Sequence, residues 1–224
     1  MRLKGKQKVI PFLFISPWII GFLVFTLFPL LFSLFMSFHD WGILGGRTMI
    51  GLDNFRRLFN DRNFYQALQV TLKYAGLLVP LNVTIALLLA VLLNSINKGA
   101  GFFKTVFYLP GIISGVALAL IWGWILRDFG ILNYLLSLVG IEPIPWLRSP
   151  SAALWAVVLS TIWGQGSLML ILLSGLKSIP QQVMEAATID GASGLKRFFR
   201  ITFPLLSPTI VYNVIMAIIA SFQQ

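Results

Sequence analysis

"YAGLLVPLNVTIALLLAVLL", residues 74–93, is a run of twenty residues without aspartate, glutamate, lysine or arginine. A helix of about twenty apolar residues can cross the ~30 Å hydrocarbon core of a bilayer. The whole chain of 224 residues shares this character: 58% of its residues are hydrophobic, 11% are charged, and its mean hydropathy is +0.87. A soluble domain carries about 25% charged residues. The sequence therefore predicts an all-α, polytopic helical membrane protein.

Four further apolar runs bring the predicted spans to five, which are 10–38, 74–93, 105–126, 152–176 and 205–224. The basic segment 1–9 ahead of the first run also fits a secretory signal peptide. Because this run is long and no small-residue cleavage pattern follows it, we interpret it as a retained membrane helix. The last run is barely long enough to span and no polar anchor follows it. We therefore expect a C-terminally truncated chain with at least one span missing.

The distribution of charge predicts the orientation. The net charge of +10 lies in short connections rather than on one basic face, which argues against nucleic-acid binding. With a cytoplasmic N-terminus, the inner segments hold ten lysines and arginines and the outer segments hold seven. Basic residues near span ends favour the cytoplasmic side, so we predict that the N-terminus is cytoplasmic. The chain has no cysteine and one histidine, His39, and we predict neither a metal site nor a cofactor.

The sequence also predicts short helices in an outer connection and kinks at prolines in or near the spans. The outer connection "GLDNFRRLFNDRNFYQALQ", residues 51–69, carries Asp53 and Asn63 as plausible N-caps of short amphipathic helices. Such helices are typical of the lipid surface, and a partner site is the alternative. Kinks are expected at prolines in or near the spans, where a helical hydrogen bond is lost. These prolines are Pro29, Pro80 and Pro110.

The connection 177–204 lies in the cytoplasm in this orientation. Ser178 and Gln181 form a capping-box pattern, and Gly191 is placed to end the helix that follows. One face of that helix consists mostly of small residues, which are Val183, Ala186, Ala187 and Asp190. A second short helix is predicted to lie at the membrane surface and lead into Pro204. A loop that merely reverses the chain is the alternative, but it does not explain two helices and a small face.

Glu185, Ala186 and Ala187, with Gly191, Ile201 and Pro204 at their spacing, resemble the EAA loop of membrane subunits of ATP-binding cassette importers. The family pattern has leucine directly before the proline, where this chain has Phe203. Further blocks resemble the sugar-permease branch, the relatives of the maltose and glycerol-phosphate permeases. They are "SPWIIGFLVFTLFPLLFSLFMSF", "GLDNF", "FKTVFYLP" and "GILNYLLSLVGIEPIPWL". The resemblance covers nearly the whole chain.

This resemblance implies a type I importer permease fold with about six spans. It also implies three partners: a cytoplasmic ATPase subunit, a second homologous permease subunit, and an extracellular or periplasmic solute-binding protein. The EAA segment would be a coupling helix pair docked on the ATPase, through Glu185, Ala186, Ala187, Asp190, Gly191, Ile201 and Pro204. The absence of a GxxxxGK[ST] phosphate loop from the sequence agrees with a separate energy source.

Polar and aromatic residues within the runs are candidates for a solute path, because amides suit sugar hydroxyls and aromatic rings suit apolar sugar faces. The candidates are Asn82, Trp122, Trp163, Gln165 and Asn213. A secondary transporter or channel is one alternative, although the runs lack the ionisable groups that such carriers usually need. A membrane-embedded enzyme is another, but the carboxylates are scattered over the outer loops without a spacing that would pair them. We predict no catalytic residues.

Overall fold

The computed structural model describes residues 5–42, 46–96 and 98–223, with side chains from residue 12 onward. Residues 1–4 of the predicted basic N-terminus, 1–9, therefore lie outside the described residues, and so does the last residue of the predicted span 205–224. The chain divides into two compact units, residues 1–68 and 69–224.

The first unit contains three helices and a small antiparallel hairpin, which are α1 (Gly5–Phe22), α2 (Phe28–Met36), β1 (His39–Trp41), β2 (Arg47–Met49) and α3 (Asp53–Asn60). The Arg47 guanidinium lies 4.1 Å from the centre of the Trp41 ring and supports the hairpin. The Asn54 amide donates to the carbonyls of Ser37 and His39, at 3.0 and 3.1 Å. The sequence did not predict these two short strands, but the all-α fold class is confirmed by the helices that make up most of the described chain.

The second unit is built from helices, with α4 starting ahead of the unit boundary. They are α4 (Arg62–Ser95), α5 (Ala100–Tyr108), α6 (Gly115–Ile125), α7 (Ile131–Leu138), α8 (Pro150–Trp163), α9 (Gly166–Lys177), α10 (Gln181–Ile189), α11 (Gly194–Arg197) and α12 (Phe203–Ser221). A 3-10 turn, Leu109–Ile112, extends α5. We call α5 with this turn and α6 the first bent pair, and α8 with α9 the second bent pair.

Three described helices are long and apolar enough to cross a membrane by themselves, which are Phe12–Met36, Arg62–Ser95 and Gly194–Ser221. The first bent pair is bent by 98° and the second by 51°. Counting each bent pair as one span gives five spans in the described residues. The apolar runs 105–126 and 152–176 are thus broken helices. The kink expected at Pro110 is confirmed in the first of them, whereas the break in the second was not predicted.

Two π turns precede prolines by the same distance. Leu23–Leu27 ends two residues before Pro29, and Phe198–Thr202 ends two residues before Pro204. A proline ring clashes with the carbonyl four residues earlier and has no N–H to donate. A widened turn, closed by i to i−5 bonds, accommodates such a clash without ending the helix. The expected kink at Pro29 therefore takes the form of a π turn.

Helix α4 is the centre of the second unit. It packs against α9 and α12 through a cluster that includes Ala90 and Leu172, both 0% exposed. It packs against α8 through Tyr74, Leu78 and Val158. Between membrane helices, close van der Waals packing replaces the hydrophobic effect as the source of association, and small residues permit it. The unit is therefore held by α4, α8, α9 and α12.

Two N-cap predictions are wrong. Helix α3 begins at Asp53 itself, and the N-cap is Leu52, which makes no side-chain hydrogen bond. Asn63 lies in the first turn of α4, where its N–H donates to Oδ1 of Asp61 at 2.8 Å, so Asp61 supplies the cap. The predicted short helix at this point is the start of a 34-residue helix.

Three further local predictions are corrected. Ser178 is the C-cap of α9 and its hydroxyl donates to the Gly175 carbonyl at 2.7 Å, so it forms no capping box with α10. Helix α4 continues through Pro80 without interruption. The second short helix is not separate, because Gly194–Ser221 runs as one helix through the π turn.

Candidate functional site

The connection between α9 and α12 forms a compact helix–glycine–helix element. Gly191 has φ +72° and follows the C-cap of α10. The Ala192 N–H donates to the Ala187 carbonyl at 3.0 Å, and the Gly191 N–H donates to the Thr188 carbonyl at 3.1 Å. These two bonds are the Schellman pattern, whose left-handed position favours glycine. The prediction that Gly191 ends the helix is confirmed.

Side chains brace the two arms of this element. The Arg197 guanidinium donates to the Thr188 hydroxyl at 2.6 Å, joining α11 to the end of α10. The Ser193 hydroxyl accepts from the Lys196 N–H at 3.4 Å and caps α11. The connection is therefore an ordered structure and not a simple chain reversal.

The element presents a mixed surface. Glu185 is exposed and its carboxylate accepts from the Gln181 amide at 2.7 Å. Two apolar side chains flank the Gly191 turn, Ile189 at 87% exposure and Leu195 at 74%. Ala187 points into its own chain and is buried. The other residues predicted here are exposed except Ile201, which is half-buried; they are Ala186, Asp190, Gly191, Ile201 and Pro204.

The five residues predicted for a solute path gather around three cavities in the second unit. Asn82, Trp163 and Gln165 line a cavity of about 180 Å³. Asn82 and Gln165 also line a second cavity of about 270 Å³, together with Asn213. Trp122 lines a third cavity of about 360 Å³, and its ring meets that of Trp163 edge-on at 5.8 Å. The arrangement places amides and indoles side by side.

Two of these side chains carry a buried polar atom that lacks a hydrogen-bond partner among the described residues. They are Oδ1 of Asn82, a residue that is 2% exposed, and Nε1 of Trp122. Buried polar groups are nearly always paired, so each exception calls for a ligand, water or function. Asn213 differs, because its amide donates within its own helix to the Thr209 carbonyl at 2.8 Å. Among the described residues that line the cavities, Asn82 and Trp122 therefore each hold a buried polar atom without a protein partner.

The two bent pairs meet at their bends through glycine backbone. A Cβ added to Gly111 would lie 2.9 Å from the Gly164 carbonyl oxygen, and one added to Gly166 would overlap the backbone of Phe107. Only glycine permits this approach. The sequence signal for Gly164 and Gly166 is "WGQG", residues 163–166, which interrupts an apolar run with two glycines.

The described residues contain no group of three His, Asp or Glu side chains that could hold a metal ion. The two ion pairs found in the described part of the chain, Arg56 with Asp53 and Arg148 with Asp128, both lie among exposed side chains. The polar and aromatic side chains around the three cavities can therefore contribute hydrogen bonds and aromatic contacts.

Comparison with known proteins matches this architecture to transport subunits. "Probable ABC transporter permease protein YesP" of Bacillus subtilis (strain 168) is 46% identical over 221 residues, covering 97% of this chain and 72% of the relative. "Trehalose/maltose transport system permease protein MalF" of Thermococcus litoralis is 33% identical over 225 residues, covering 99% of this chain and 76% of the relative. No family model matches the chain.

A solved structure supports the same assignment. A chain of the bacterial alginate ABC transporter, crystallised in complex with an alginate pentasaccharide-bound periplasmic protein, matches with a TM-score of 0.81 and 28% identity. The match covers 95% of this chain and 72% of that one. The sequence identity, the shared fold and the apolar helices lead to one conclusion: this multi-pass membrane protein belongs to the family of permease subunits of ATP-binding cassette sugar transporters, which are transport subunits and not enzymes.

Proposed function

We propose that this chain forms the translocation path of an importer for a sugar or related solute, and that the connection 177–204 couples it to a separate ATPase. The observation that carries the proposal is the ordered helix–glycine–helix element with exposed Glu185. A chain reversal alone needs neither the Schellman turn at Gly191 nor the Arg197–Thr188 brace. A rigid element with exposed apolar and charged groups suits a partner surface.

The ATPase contact centres on the Gly191 turn in this proposal. Ile189 and Leu195 would supply apolar anchors on its two sides, and Glu185 would accept charge-assisted hydrogen bonds from the partner. Ala187 is buried, and its small side chain would let α10 pack closely against other segments of this chain. Pro204 and Ile201 would set the start of α12, and Ala186 and Asp190 would complete the outward face of α10.

The solute path would run along the three cavities. Sugar hydroxyls both donate and accept, so they can pair with Oδ1 of Asn82 and Nε1 of Trp122. The edge-on pair of Trp122 and Trp163 offers ring surface for the apolar face of a sugar. Gln165 and Asn213 would add amide groups to the same path. The relatives are named as transporters of trehalose, maltose and alginate, which supports a saccharide as the solute of this chain.

Three partners complete the proposed transporter: a cytoplasmic ATPase, a second homologous permease, and an extracellular or periplasmic solute-binding protein. The solved alginate transporter with its periplasmic protein supports this composition. Uptake by proteoliposomes containing the full assembly tests it, with radiolabelled maltose, trehalose and an alginate oligosaccharide as probes. We expect ATP-dependent uptake of at least one probe. Uptake of none would refute the sugar assignment, and uptake without ATP would favour an ion-driven carrier.

The proposed orientation places the N-terminus and the connection 177–204 in the cytoplasm. The excess of ten inner over seven outer basic residues supports it. Because the chain has no cysteine, single cysteines introduced as Ser193→Cys and Glu142→Cys can be labelled selectively. In intact cells, a membrane-impermeant maleimide should label position 142 and spare position 193. The opposite pattern would reverse the orientation.

A further inference from the structure

Asn133, near the start of α7, is a buried amide whose hydrogen-bonding capacity is fully used. It is 3% exposed. Its Nδ2 donates to the carbonyls of Arg127, Asp128 and Ile144, at 3.4, 3.1 and 2.9 Å. Its Oδ1 accepts from the Ile144 N–H at 3.1 Å and from Nε1 of Trp146 at 2.9 Å. An asparagine offers two N–H donors and two oxygen lone pairs, so both ends of the amide are engaged.

These bonds join the two bent pairs along the chain. Arg127 and Asp128 directly follow the end of α6, whereas Ile144 and Trp146 lead into α8. Asn133 pairs with both the N–H and the C=O of Ile144, as a neighbouring strand would. The ion pair between Arg148 and Asp128 spans the same gap, but its side chains are 73% and 41% exposed. Exposed pairs contribute little, so the amide is the principal connection.

A second contact joins the same two bent pairs at their bends, where Gly111 in the 3-10 turn after α5 approaches Gly164 at the end of α8. The cavity of about 360 Å³ lies beside this contact and takes its lining from both bent pairs, including Trp122 of α6 and Thr161 of α8. Two bent pairs that are joined at two points cannot pivot about either point alone. The connection held by Asn133 therefore sets how far α6 lies from α8 around this cavity.

We propose that Asn133 is a positioning residue, which fixes α6 against α8 and so holds the two bent pairs as one body around the cavity that Trp122 lines. The inference rests on the proposed function only in taking this cavity as part of the solute path. Its structural content can be measured without transport.

Distance measurement between spin labels tests the inference in the assembled transporter in nanodiscs. The cysteine-free chain accepts labels at Leu120→Cys in α6 and Val157→Cys in α8, both exposed positions. A reference pair, Ile171→Cys in α9 and Val211→Cys in α12, reports on the rest of the unit. The parent protein should give one narrow α6–α8 distance distribution.

Two variants of Asn133 separate hydrogen bonding from packing. Asn133→Ala removes the amide, and Asn133→Asp keeps its volume and acceptor atoms but sets a carboxylate against three carbonyls. Both should broaden the α6–α8 distribution by about twofold and leave the reference pair unchanged. Asn60→Ala, at an exposed asparagine that donates within its own helix to the Arg56 carbonyl at 2.9 Å, is the control and should change neither pair.

Three results would overturn the inference. An unchanged α6–α8 distribution in either variant would show that these bonds do not position the helices. Equal broadening of the reference pair would mean that Asn133 supports the fold as a whole. Full uptake by both variants would also contradict it, since misplacement of about 1 Å can cost tenfold or more in rate. Absence of uptake by the parent protein would refute the proposed function instead, and the distances would still decide the role of Asn133.

Discussion

Substitution of Gly191 should weaken coupling through backbone conformation alone. The residue has φ +72°, and a Cβ added to it would meet nothing within 4 Å. Any loss of affinity for the ATPase therefore comes from the left-handed backbone conformation and not from a steric clash. An L-residue in that conformation costs about 1–2 kcal/mol. If the turn must form for the ATPase to dock, Gly191→Ala should weaken its affinity about 5- to 30-fold.

The identity of the replacement gives a sharper test than a single variant. Asparagine visits the left-handed region more readily than alanine, and β-branched residues avoid it. Affinity should therefore fall in the order Gly, Asn, Ala, Val at position 191. Binding of the purified ATPase subunit to the permease in nanodiscs measures the affinity, and ATP-driven uptake should follow the same order.

A neighbouring glycine provides the matched control. Gly194 opens α11, is absent from the positive-φ residues of the described chain, and also has open space around its Cβ position. Gly194→Ala should leave affinity and uptake unchanged. Equal losses at the two positions, or an alanine variant at 191 that binds as tightly as the parent, would refute the argument from backbone conformation.

Three further predictions concern the bends and the cavities. Gly166→Ala should lower the free energy of unfolding by about 1–3 kcal/mol, because its Cβ would overlap the Phe107 backbone. Thermal unfolding in detergent measures this change, and Gly76→Ala, where the Cβ would meet open space, is the control. Equal stability of the two variants would contradict the prediction. Asn82→Leu removes an unpaired buried oxygen, so it should keep or raise stability while cutting uptake about tenfold. Trp122→Phe removes an unpaired N–H but keeps an aromatic ring, so the KM for uptake should rise; normal uptake by both cavity variants would exclude them from the solute path.

The sequence was informative where one property repeats along a helix. The apolar run at 74–93 lies within a single helix, Arg62–Ser95, because length and hydropathy alone favour a membrane helix. The end of α10 at Gly191 was equally predictable, since the preference for glycine at a left-handed C′ position follows from local backbone rules. These predictions needed no knowledge of distant residues.

The sequence was less informative where tertiary contacts decide. The 51° bend at Gly164 contains no proline, and it depends on the approach of α5, which lies far away in sequence. Pro80 shows the converse, because α4 runs through it without a break. The sequence analysis did not single out Asn133, because its role depends on Ile144 and Trp146 lying close. No local pattern specifies these pairings.

The bends and the unpaired polar atoms together argue for a hydrated path. Backbone that departs from helical geometry inside a membrane is tolerated where it is buried in protein or lines a water-filled cavity. The start of α6 at Gly115 lines one cavity, and the start of α9 at Gly166 lines another, with neither helix capped by a side chain. Oδ1 of Asn82 and Nε1 of Trp122 face the same demand for partners. In the proposed solute path, water would meet these demands at rest, and the hydroxyls of a sugar would replace that water without loss of hydrogen bonds. A solute without hydroxyls could not replace it, so the proposal of a saccharide over an apolar solute rests on these unpaired groups.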